Sequence, residues 1–363
     1  MVVLCNNSMG LNLAWPEPVE RVQKLAESGI THLPQRYIRP PQERPPSSPS
    51  PSPSPSPSPA GVPVVDLSAS NSMEVMHCAC REWGAFQLIN HGIPHIFLSS
   101  AMHASRGFFD LPMSEKQLYA NDPLTYEGYG SRMGVKKGII LDWGDYFFHH
   151  LRPLSHRKQH KWPANPPHYR RTIEEYCSGV FELCKELLSM FSEDLGLPKS
   201  RLVETFGGEE QIGLCYRMNY YPKCPQPELT LGLSPHTDPG CFTVIFQDDD
   251  VCGLQVKKDD VWVSVPPIPK ALVIILADQL EVISNGIYTS AEHRTTVNKE
   301  RERMSLVVFC NPDGEMKIGP VQEVVAAGGG KALYEEMSFN QYRQLIRTVG
   351  IKGKTFLNSR KGS

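Results

Sequence analysis

The sequence lacks the features that would direct a chain to a membrane, to nucleic acid or to the secretory pathway. No run of eighteen apolar residues is present, which argues against a helix that crosses a bilayer. Residues 1–10 contain no basic segment followed by an apolar core, and residues 360–363 match no retention or prenylation signal. Lys and Arg total 37 against 39 Asp and Glu, so the net charge of -2 creates no strong field. We expect a cytoplasmic protein, with the nucleus also open, that binds neither nucleic acid nor membranes.

The ten cysteines are scattered along the chain, which argues against a disulfide-stapled secreted domain. Cys78 and Cys80 resemble a metal-binding pair, but they fall in a predicted helix, where side chains two residues apart point to nearly opposite sides. We therefore expect free, partly buried thiols in a reducing compartment.

A proline- and serine-rich segment at residues 45–59 ends in a strict Ser-Pro alternation. Such a segment has nothing to bury and lacks many backbone donors, so it predicts an extended, disordered insert. A tolerated surface insertion is favoured over the alternative, a proline-rich ligand for a partner domain.

The remaining chain divides into a mainly helical first half and a second half of short strands. Helical periodicity predicts helices at 17–28, 73–82, 96–110, 169–195 and 339–349. Strands are predicted at 62–67, 84–90, 212–219, 241–247, 253–257, 261–265, 271–276, 290–297 and 305–309. The closely spaced strands after residue 211 predict an antiparallel sandwich or barrel, on which the helical half leans.

His236, Asp238 and His293 form a candidate metal site. His236 and Asp238 are two residues apart, so on a strand or its extension both side chains reach one ion. His293 would come from a distant strand. Two imidazoles and one carboxylate suit Fe(II) and leave coordination positions open for oxygen and substrate. A His-x-Asp tripeptide by itself is weak support, because such a match also arises by chance.

Polar pairs on two other predicted strands strengthen this interpretation. Arg303 and Ser305 share one strand face, and a guanidinium beside a hydroxyl suits a carboxylate. Asn219 and Tyr221 are also two residues apart, at the end of an earlier strand. Each pair alone is explained by a surface ion pair or a strand end, whereas all the pairs together are hard to explain as core packing.

This combination resembles the plant iron(II)/2-oxoglutarate-dependent dioxygenases over nearly the whole chain except the insert. The matching motifs are Trp83-Gly84-Ala85-Phe86-Gln87, Asn90-His91-Gly92, residues 219–225, His236-Thr237-Asp238, Asp278-Gln279, Ser284-Asn285-Gly286, His293-Arg294 and Arg303-Met304-Ser305. Two positions depart from the family pattern: Ala277 stands where glycine is usual, and Ala291 where valine is common. Neither is a candidate ligand, so neither puts the chemistry in doubt.

The resemblance implies a mixed α/β, β-rich fold with a double-stranded β-helix, or jelly-roll, core flanked by helices. The expected organisation is an N-terminal helical segment (1–44), the Pro/Ser insert (45–60), an N-terminal α/β region (61–205), the jelly-roll domain (206–320) and a C-terminal helical segment (321–363).

The resemblance also implies the cofactors and their ligands. His236, Asp238 and His293 would bind Fe(II), while Arg303 and Ser305, helped by Tyr221 and Asn219, would hold 2-oxoglutarate. The reaction would consume O2 and release succinate and CO2, and the family admits ascorbate as an auxiliary reductant.

Within the family the chain is most similar to the jasmonate-oxidising branch. Three segments carry that similarity: Trp15-Pro16-Glu17-Pro18 with residues 22–28, residues 125–132, and residues 141–148. The branch implies hydroxylation of jasmonic acid to 12-hydroxyjasmonate, which would lower active jasmonate signalling. The matching substrate residues are Arg217, Arg343, Arg347, Phe148 and Phe309.

The arginine positions are physically coherent. Arg343 and Arg347 are four apart on the last predicted helix, and Arg217 shares the strand face of Asn219. Clustered like charges are costly unless an anion joins them. Alternatively, the helical pair is a solvated basic helix end.

Two other functions remain open. A flavonoid oxygenase of the anthocyanidin synthase or flavonol synthase type shares the core motifs, although a neutral polyphenol needs no arginine cluster. A non-catalytic sensor of a small acid would not need to retain all the iron and 2-oxoglutarate residues.

Overall fold

The structure is a computed structural model that describes residues 17, 19–45, 61–123, 125–131, 137–349 and 353–362, with the side chains of 348 and 349 left aside. Three sequence predictions fall wholly or partly outside the described residues. They concern the Pro/Ser insert beyond residue 45, the motif around Trp15 and Pro16, and the end of the 125–132 segment.

Strands and helices alternate irregularly along the chain. The strands are β1 Val64–Asp66, β2 Ala85–Ile89, β3 Gly128–Gly130, β4 Asp145–Arg152, β5 Gly213–Tyr221, β6 Leu233–His236, β7 Phe242–Gln247, β8 Leu254–Lys258, β9 Val261–Ser264, β10 Leu272–Leu276, β11 His293–Thr295, β12 Arg303–Asn311, β13 Lys317–Ile318 and β14 Met337–Ser338. The α-helices are α1 Val22–Glu27, α2 Ser72–Glu82, α3 His95–Phe109, α4 Met113–Gln117, α5 Tyr169–Asp194, α6 Arg201–Thr205, α7 Asp278–Ile283, α8 Gln322–Ala327, α9 Phe339–Val349 and α10 Thr355–Asn358.

The larger sheet has the strand order β1-β2-β10-β7-β12-β5-β4-β3. Its pairings are antiparallel except for the parallel pair of β1 and β2. Alternate residues of the central strands, such as Tyr216, Met218, Leu306 and Val308, are buried in a core shared with α3 and α5. Because side chains alternate across a strand, the residues between them face away from the helices.

The smaller sheet, in the order β6-β11-β8-β9, covers that other face. Two antiparallel sheets that face each other, with neighbouring strands far apart in sequence, form the jelly-roll core that the sequence predicts. The β-rich class flanked by helices is therefore confirmed. Among the described residues, no helix is long and apolar enough to span a membrane.

Most predicted elements are present with shifted ends. The predicted strands after residue 211 move by no more than three residues at either end, and the last helix begins and ends as predicted. Cys78 is exposed and Cys80 is buried, and the cysteines of the described residues are free thiols. The first half contributes the two predicted strands β1 and β2 at one edge of the larger sheet, and it is less helical than predicted because β3 and β4 extend the sheet at its other edge.

Strand β4 was not predicted, and neither were β6 or helix α7. The β4 sequence, Asp-Tyr-Phe-Phe-His-His-Leu-Arg, shows no apolar/polar alternation. One of its faces packs in the helical core and the other faces a cavity, so aromatic and histidine side chains occupy both faces. The period of two that marks a half-solvated strand is therefore hidden.

The first helix begins at Val22, five residues later than predicted. Its start is set by the buried carboxylate of Asp145, whose two oxygens accept the backbone N–H groups of Val22 and Gln23, each at 2.9 Å. This carboxylate satisfies donors that every helix N-terminus leaves unpaired. A capping residue 123 positions away in sequence cannot be recognised from local pattern.

Gly84 stands at a close approach that predicts a large loss of stability on substitution. Its φ is +64°, and an added Cβ would collide with the carbonyl oxygen of Thr289. Gly29 has a similar φ of +74° but open space around it. We expect Gly29→Ala to cost about 1 kcal/mol for the left-handed conformation, and Gly84→Ala about 3 kcal/mol or more because steric overlap is added. Chemical denaturation of the two variants measures the difference, and equal losses would contradict the close approach.

Candidate metal centre and anion pocket

Three potential ligands converge at the edge of the smaller sheet. His236, the last residue of β6, pairs directly with His293, the first residue of β11. Asp238 follows two residues later, with Oδ1 3.5 Å from Nε2 of His236 and Oδ2 3.7 Å from Nε2 of His293. The ligand atoms of all three lie within 4.8 Å of one another, and no second such group occurs in the described part of the chain.

Both histidines present a lone pair to this point. Nδ1 of His236 lies 2.8 Å from the carbonyl oxygen of Ser234, and Nδ1 of His293 lies 3.1 Å from that of Ala291. A carbonyl only accepts hydrogen bonds, so Nδ1 carries the proton in each ring and Nε2 is left as the electron-pair donor. Backbone carbonyls in this position are the usual means of orienting metal-binding histidines.

Burial adjusts the charge of the three groups. Burial lowers the pKa of His293 to about 4, helped by the charge on His236, so this ring is neutral at pH 7. Burial also acts to lower the pKa of His236, but the Asp238 carboxylate and the Ser234 carbonyl together bring it above its usual value. Burial raises the pKa of Asp238, whereas His293, His236 and the hydroxyl of Thr243 together bring it below its usual range. An anionic oxygen between two nitrogen lone pairs attracts a cation, and this donor set fits Fe(II).

Between the two sheets lies a cavity of about 180 Å³. A water molecule needs about 10–15 Å³ on this measure, so the cavity has room for a small organic molecule. The inner face of the larger sheet forms one wall, through alternate residues of β12, β5, β4 and β7, while β6, β8 and β11 form the opposite wall. Part of α9 closes one side through Arg343, Ile346 and Arg347.

Arg303 provides an anion site within this cavity. Nη2 donates to Oε1 of Gln247 at 3.0 Å, while Nε and Nη1 are buried without a hydrogen-bond partner among the described residues. Arg303 is only 3% exposed, and burial lowers its pKa. Ser305 lies next on the same face, and strand pairing places Arg303 opposite Tyr221 and Ser305 opposite Asn219. A buried guanidinium with unused donors fits a carboxylate ligand such as that of 2-oxoglutarate.

A second group of guanidinium side chains lies further along the cavity. Arg217 donates from Nε to Oδ1 of Asn219 at 2.6 Å, and its Cζ lies 4.1 Å from the centre of the Tyr146 ring. Nε of Arg343 is buried without a hydrogen-bond partner among the described residues. Burial and then the charge of Arg343 lower the pKa of Arg347 to about 10.

The lowered pKa of the adjacent His150 reflects burial and the positive charges of Arg343 and Arg347. Burial, followed by the charges of Arg343 and Arg347, lowers the pKa of His150 to about 3. The free energy of three neighbouring cations in a partly buried cavity falls when an anion joins them. The alternative interpretation, in which Arg347 belongs to a solvated basic helix end, is disfavoured because this side chain lines a cavity and has a lowered pKa.

All the site residues predicted from the sequence line this one cavity: His236, Asp238, His293, Arg303, Ser305, Tyr221, Asn219, Arg217, Arg343, Arg347, Phe148 and Phe309. Several lining residues were missed, among them Thr243, Tyr126 and Tyr146. The hydroxyl of Thr243 donates to Oδ2 of Asp238 at 2.5 Å, and that of Tyr126 donates to the carbonyl of Arg347 at 3.2 Å. Tyr146 lies opposite Asn219 in the neighbouring strand β4. It could have been identified as a cavity residue if β4 had been recognised in the sequence.

Two family models match the sequence. The model of the 2OG-Fe(II) oxygenase superfamily matches residues 212–312, and that of the non-haem dioxygenase in morphine synthesis N-terminal family matches residues 62–167. Jasmonate-induced oxygenase 1 of Arabidopsis thaliana is 45% identical over 358 residues, which are 97% of this chain and 89% of the relative. Flavonol synthase 1 of Crocosmia x crocosmiiflora is 39% identical over 328 residues, 90% of this chain and 97% of the relative.

A solved structure is also closely similar. The crystal structure of JOX2 in complex with 2OG, Fe and JA superposes with a TM-score of 0.89 at 45% sequence identity. The match covers 96% of this chain and 99% of the JOX2 chain.

The metal centre generates a test that does not depend on turnover. We expect Asp238→Asn to weaken binding of Fe(II), or of Co(II) as a stable probe, by about a hundredfold, because the anionic donor becomes neutral while its shape is kept. Thr243→Val should weaken it by about tenfold through the lost hydrogen bond to Asp238. Anaerobic titration calorimetry measures both affinities, and melting curves in chelator check that the variants fold. Wild-type affinity in Asp238→Asn would contradict the assignment.

Proposed function

This chain belongs to the 2OG-Fe(II) oxygenase superfamily, and from that membership we propose that it hydroxylates jasmonic acid. It is a 2-oxoglutarate-dependent dioxygenase that uses Fe(II), 2-oxoglutarate and O2. The proposed product is 12-hydroxyjasmonate, formed with succinate and CO2, and the reaction would lower the pool of active jasmonate. The observation that carries the proposal is the group of three arginines in the same cavity as the candidate iron ligands.

We propose that His236, Asp238 and His293 hold the iron. Bound Fe(II) supplies the activation of O2 that couples oxidation of 2-oxoglutarate to hydroxylation of the substrate. The protein orients the two imidazoles through the carbonyls of Ser234 and Ala291, and the Thr243 hydroxyl orients the carboxylate. These partners keep the ligand atoms in place without a rearrangement when the metal binds.

We propose that Arg303 and Ser305 bind the distal carboxylate of 2-oxoglutarate, with Tyr221 beside them. The unused Nε and Nη1 donors of Arg303 support this role, since a carboxylate would satisfy both the charge and the hydrogen bonds. Asn219 lies between the two anion sites, because its Oδ1 accepts from Arg217 while its strand position is opposite Ser305. Its neutral amide separates two cationic sites without adding to their repulsion.

The carboxylate of jasmonic acid is proposed to bind Arg217, Arg343 and Arg347. Its five-membered ring and pentenyl chain need apolar walls, which Phe148, Phe309 and the neighbouring aliphatic side chains supply. JOX2, similar along nearly the whole chain, has been crystallised with 2OG, Fe and JA, which supports the same ligand class here. A neutral flavonoid would leave the guanidinium groups without an anion, which argues against a flavonoid as the substrate.

A substrate panel tests the proposal. The purified protein would be loaded anaerobically with Fe(II) and 2-oxoglutarate, then given oxygen with jasmonic acid, naringenin, dihydroquercetin or indole acetic acid. We expect succinate formation coupled to loss of jasmonic acid and gain of a hydroxylated product. Coupled consumption of a flavonoid instead would replace the proposal, and succinate without oxidation of any panel member would show a different substrate.

The two anion sites predict opposite effects of two arginine substitutions. We expect Arg347→Ala to raise KM for jasmonic acid by about 10- to 100-fold, the loss of a hydrogen bond to a charged group, and to leave KM for 2-oxoglutarate nearly unchanged. Arg303→Ala should do the reverse. Arg171→Ala is the matched control, because this arginine lies on the outer face of α5 with its side chain 80% exposed. Initial rates measured against each ligand separate the two sites, and an unchanged jasmonate KM in Arg347→Ala would reject the arginine clamp.

A further inference from the structure

One buried carboxylate joins the helix that carries two of the arginines to the segments that carry the metal ligands. Asp278, the first residue of α7, is 1% exposed. Its Oδ2 accepts the hydroxyl of Tyr342 at 2.6 Å, and its Oδ1 accepts the hydroxyl of Ser290 at 2.7 Å. Tyr342 belongs to α9, and both Tyr342 and Ser290 are fully buried. A carboxylate with these donors is strongly fixed, because bonds to an ionised acceptor are about twice as strong as neutral ones.

Asp278 also contacts the immediate neighbours of the metal ligands. Its backbone N–H donates to the carbonyl oxygen of Asp238 at 2.9 Å. The hydroxyl of Thr237, between His236 and Asp238, is one of the groups that lower the pKa of its carboxyl against the larger effect of burial. Ser290 precedes His293 by three residues. Asp278 is therefore bonded to both ligand-bearing segments, through its backbone N–H at Asp238 and through its carboxylate at Ser290.

On the opposite side of the carboxylate, Tyr342 holds α9. It immediately precedes Arg343 and lies five residues before Arg347. The helix has further contacts near its ends. The N–H groups of Phe339 and Asn340 donate to the carbonyls of Met316 and Gly314 at 3.2 and 2.8 Å, Nδ2 of Asn340 donates to Oε1 of Glu315 at 2.7 Å, and the Tyr126 hydroxyl donates to the carbonyl of Arg347 at 3.2 Å. These partners lie outside the metal-binding segments. Beyond α9, the N–H of Gly353 donates to the carbonyl of Pro235 at 3.2 Å. Among the hydrogen bonds named for α9 itself, the bond from Tyr342 to Asp278 is the one that leads to the metal ligands.

We propose that Asp278 and Tyr342 are positioning residues that set the distance between the metal ligands and the substrate carboxylate, and thereby choose the carbon that is oxidised. The proposal rests on the function proposed above, since it requires a carboxylate substrate held by Arg343 and Arg347. Successive carbons of a chain are about 1.5 Å apart, so a shift of α9 by one bond length presents a different carbon to the metal. A misplacement of about 1 Å also costs rate steeply, because the reacting atoms leave their near-attack geometry.

A neighbouring hydrogen bond of similar kind provides a matched control. The hydroxyl of Tyr334 donates to Oε1 of Glu281 at 2.8 Å, in the same buried region and also on α7. Tyr334 is 6% exposed and lies outside α9, on a segment that contributes no residue to the cavity. Loss of either hydroxyl removes one tyrosine–carboxylate bond, but only the loss at Tyr342 frees the helix that carries the arginines.

The test compares Tyr342→Phe with Tyr334→Phe in the full chain. We expect Tyr342→Phe to raise KM for jasmonic acid by about tenfold, to lower the yield of hydroxylated product per succinate, and to spread oxidation over more than one carbon. KM for 2-oxoglutarate and the affinity for Co(II) should stay at the wild-type values. Hydrogen exchange of α9 amides, measured without metal or substrate, should be faster in Tyr342→Phe only.

Asp278→Asn gives a second and independent variant, since it keeps the shape of the side chain and removes its charge. It should change the product pattern in the same direction as Tyr342→Phe. The proposal is overturned if Tyr342→Phe and Asp278→Asn both behave like Tyr334→Phe. That result would be the same product pattern, the same yield of product per succinate and the same hydrogen exchange of α9. Failure of the proposed function gives a different result, because the wild-type protein itself would then show no coupled oxidation of jasmonic acid.

Discussion

The register between β5 and β12 is the constraint on which the cavity depends. Pairing of Arg303 with Tyr221 and of Ser305 with Asn219 puts every odd-numbered residue of both strands on the inner face of the larger sheet. The even-numbered residues, such as Met218 and Leu306, are buried in the helical core. A slip of one residue would send guanidinium groups into that core and apolar side chains into the cavity. Burial of the apolar set against α3 and α5 therefore also holds the polar set in place.

The cavity concentrates polar groups that the fold alone does not need. Arg303 has buried donors that find no hydrogen-bond partner in the described parts of the chain, and Arg347 has a pKa lowered to about 10. Isolated buried charges destabilise a folded chain, and such groups are retained where a ligand completes them. The carboxylate of Asp238 and the Nε2 lone pairs of the two histidines together attract a cation. The cavity thus has two candidate anion sites and one candidate cation site, and neutral Asn219 is proposed to lie between the anion sites.

Relatives that are named for different activities are similar to this chain over most of its length. The chain is 39% identical to a flavonol synthase and 45% identical to a jasmonate-induced oxygenase, and both matches extend over most of its length. The candidate iron ligands lie on or just after β6 and β11, and the candidate 2-oxoglutarate residues lie on β5 and β12, whereas two of the three arginines lie on α9, near the end of the chain. Substrate choice can then change through this helix and its support by Tyr342, while the sheet register stays the same.

The sequence alone determined the reaction class, through motifs that resemble the iron(II)/2-oxoglutarate-dependent dioxygenases. It also named the candidate site residues, several of which share a strand or helix face at a spacing of two or four, and the structure places them around one cavity. It also determined most strands after residue 211 and the last helix. Only the tertiary structure decided what links distant segments: the pairing of His236 with His293, the capping of α1 by Asp145, and the joining of α9 to the metal segments by Asp278. Strand β4 stayed hidden for a related reason, since both of its faces are buried and its alternation is lost. Local sequence patterns indicate which face of a helix or strand is apolar. The partner of a buried polar group depends instead on how the whole chain packs.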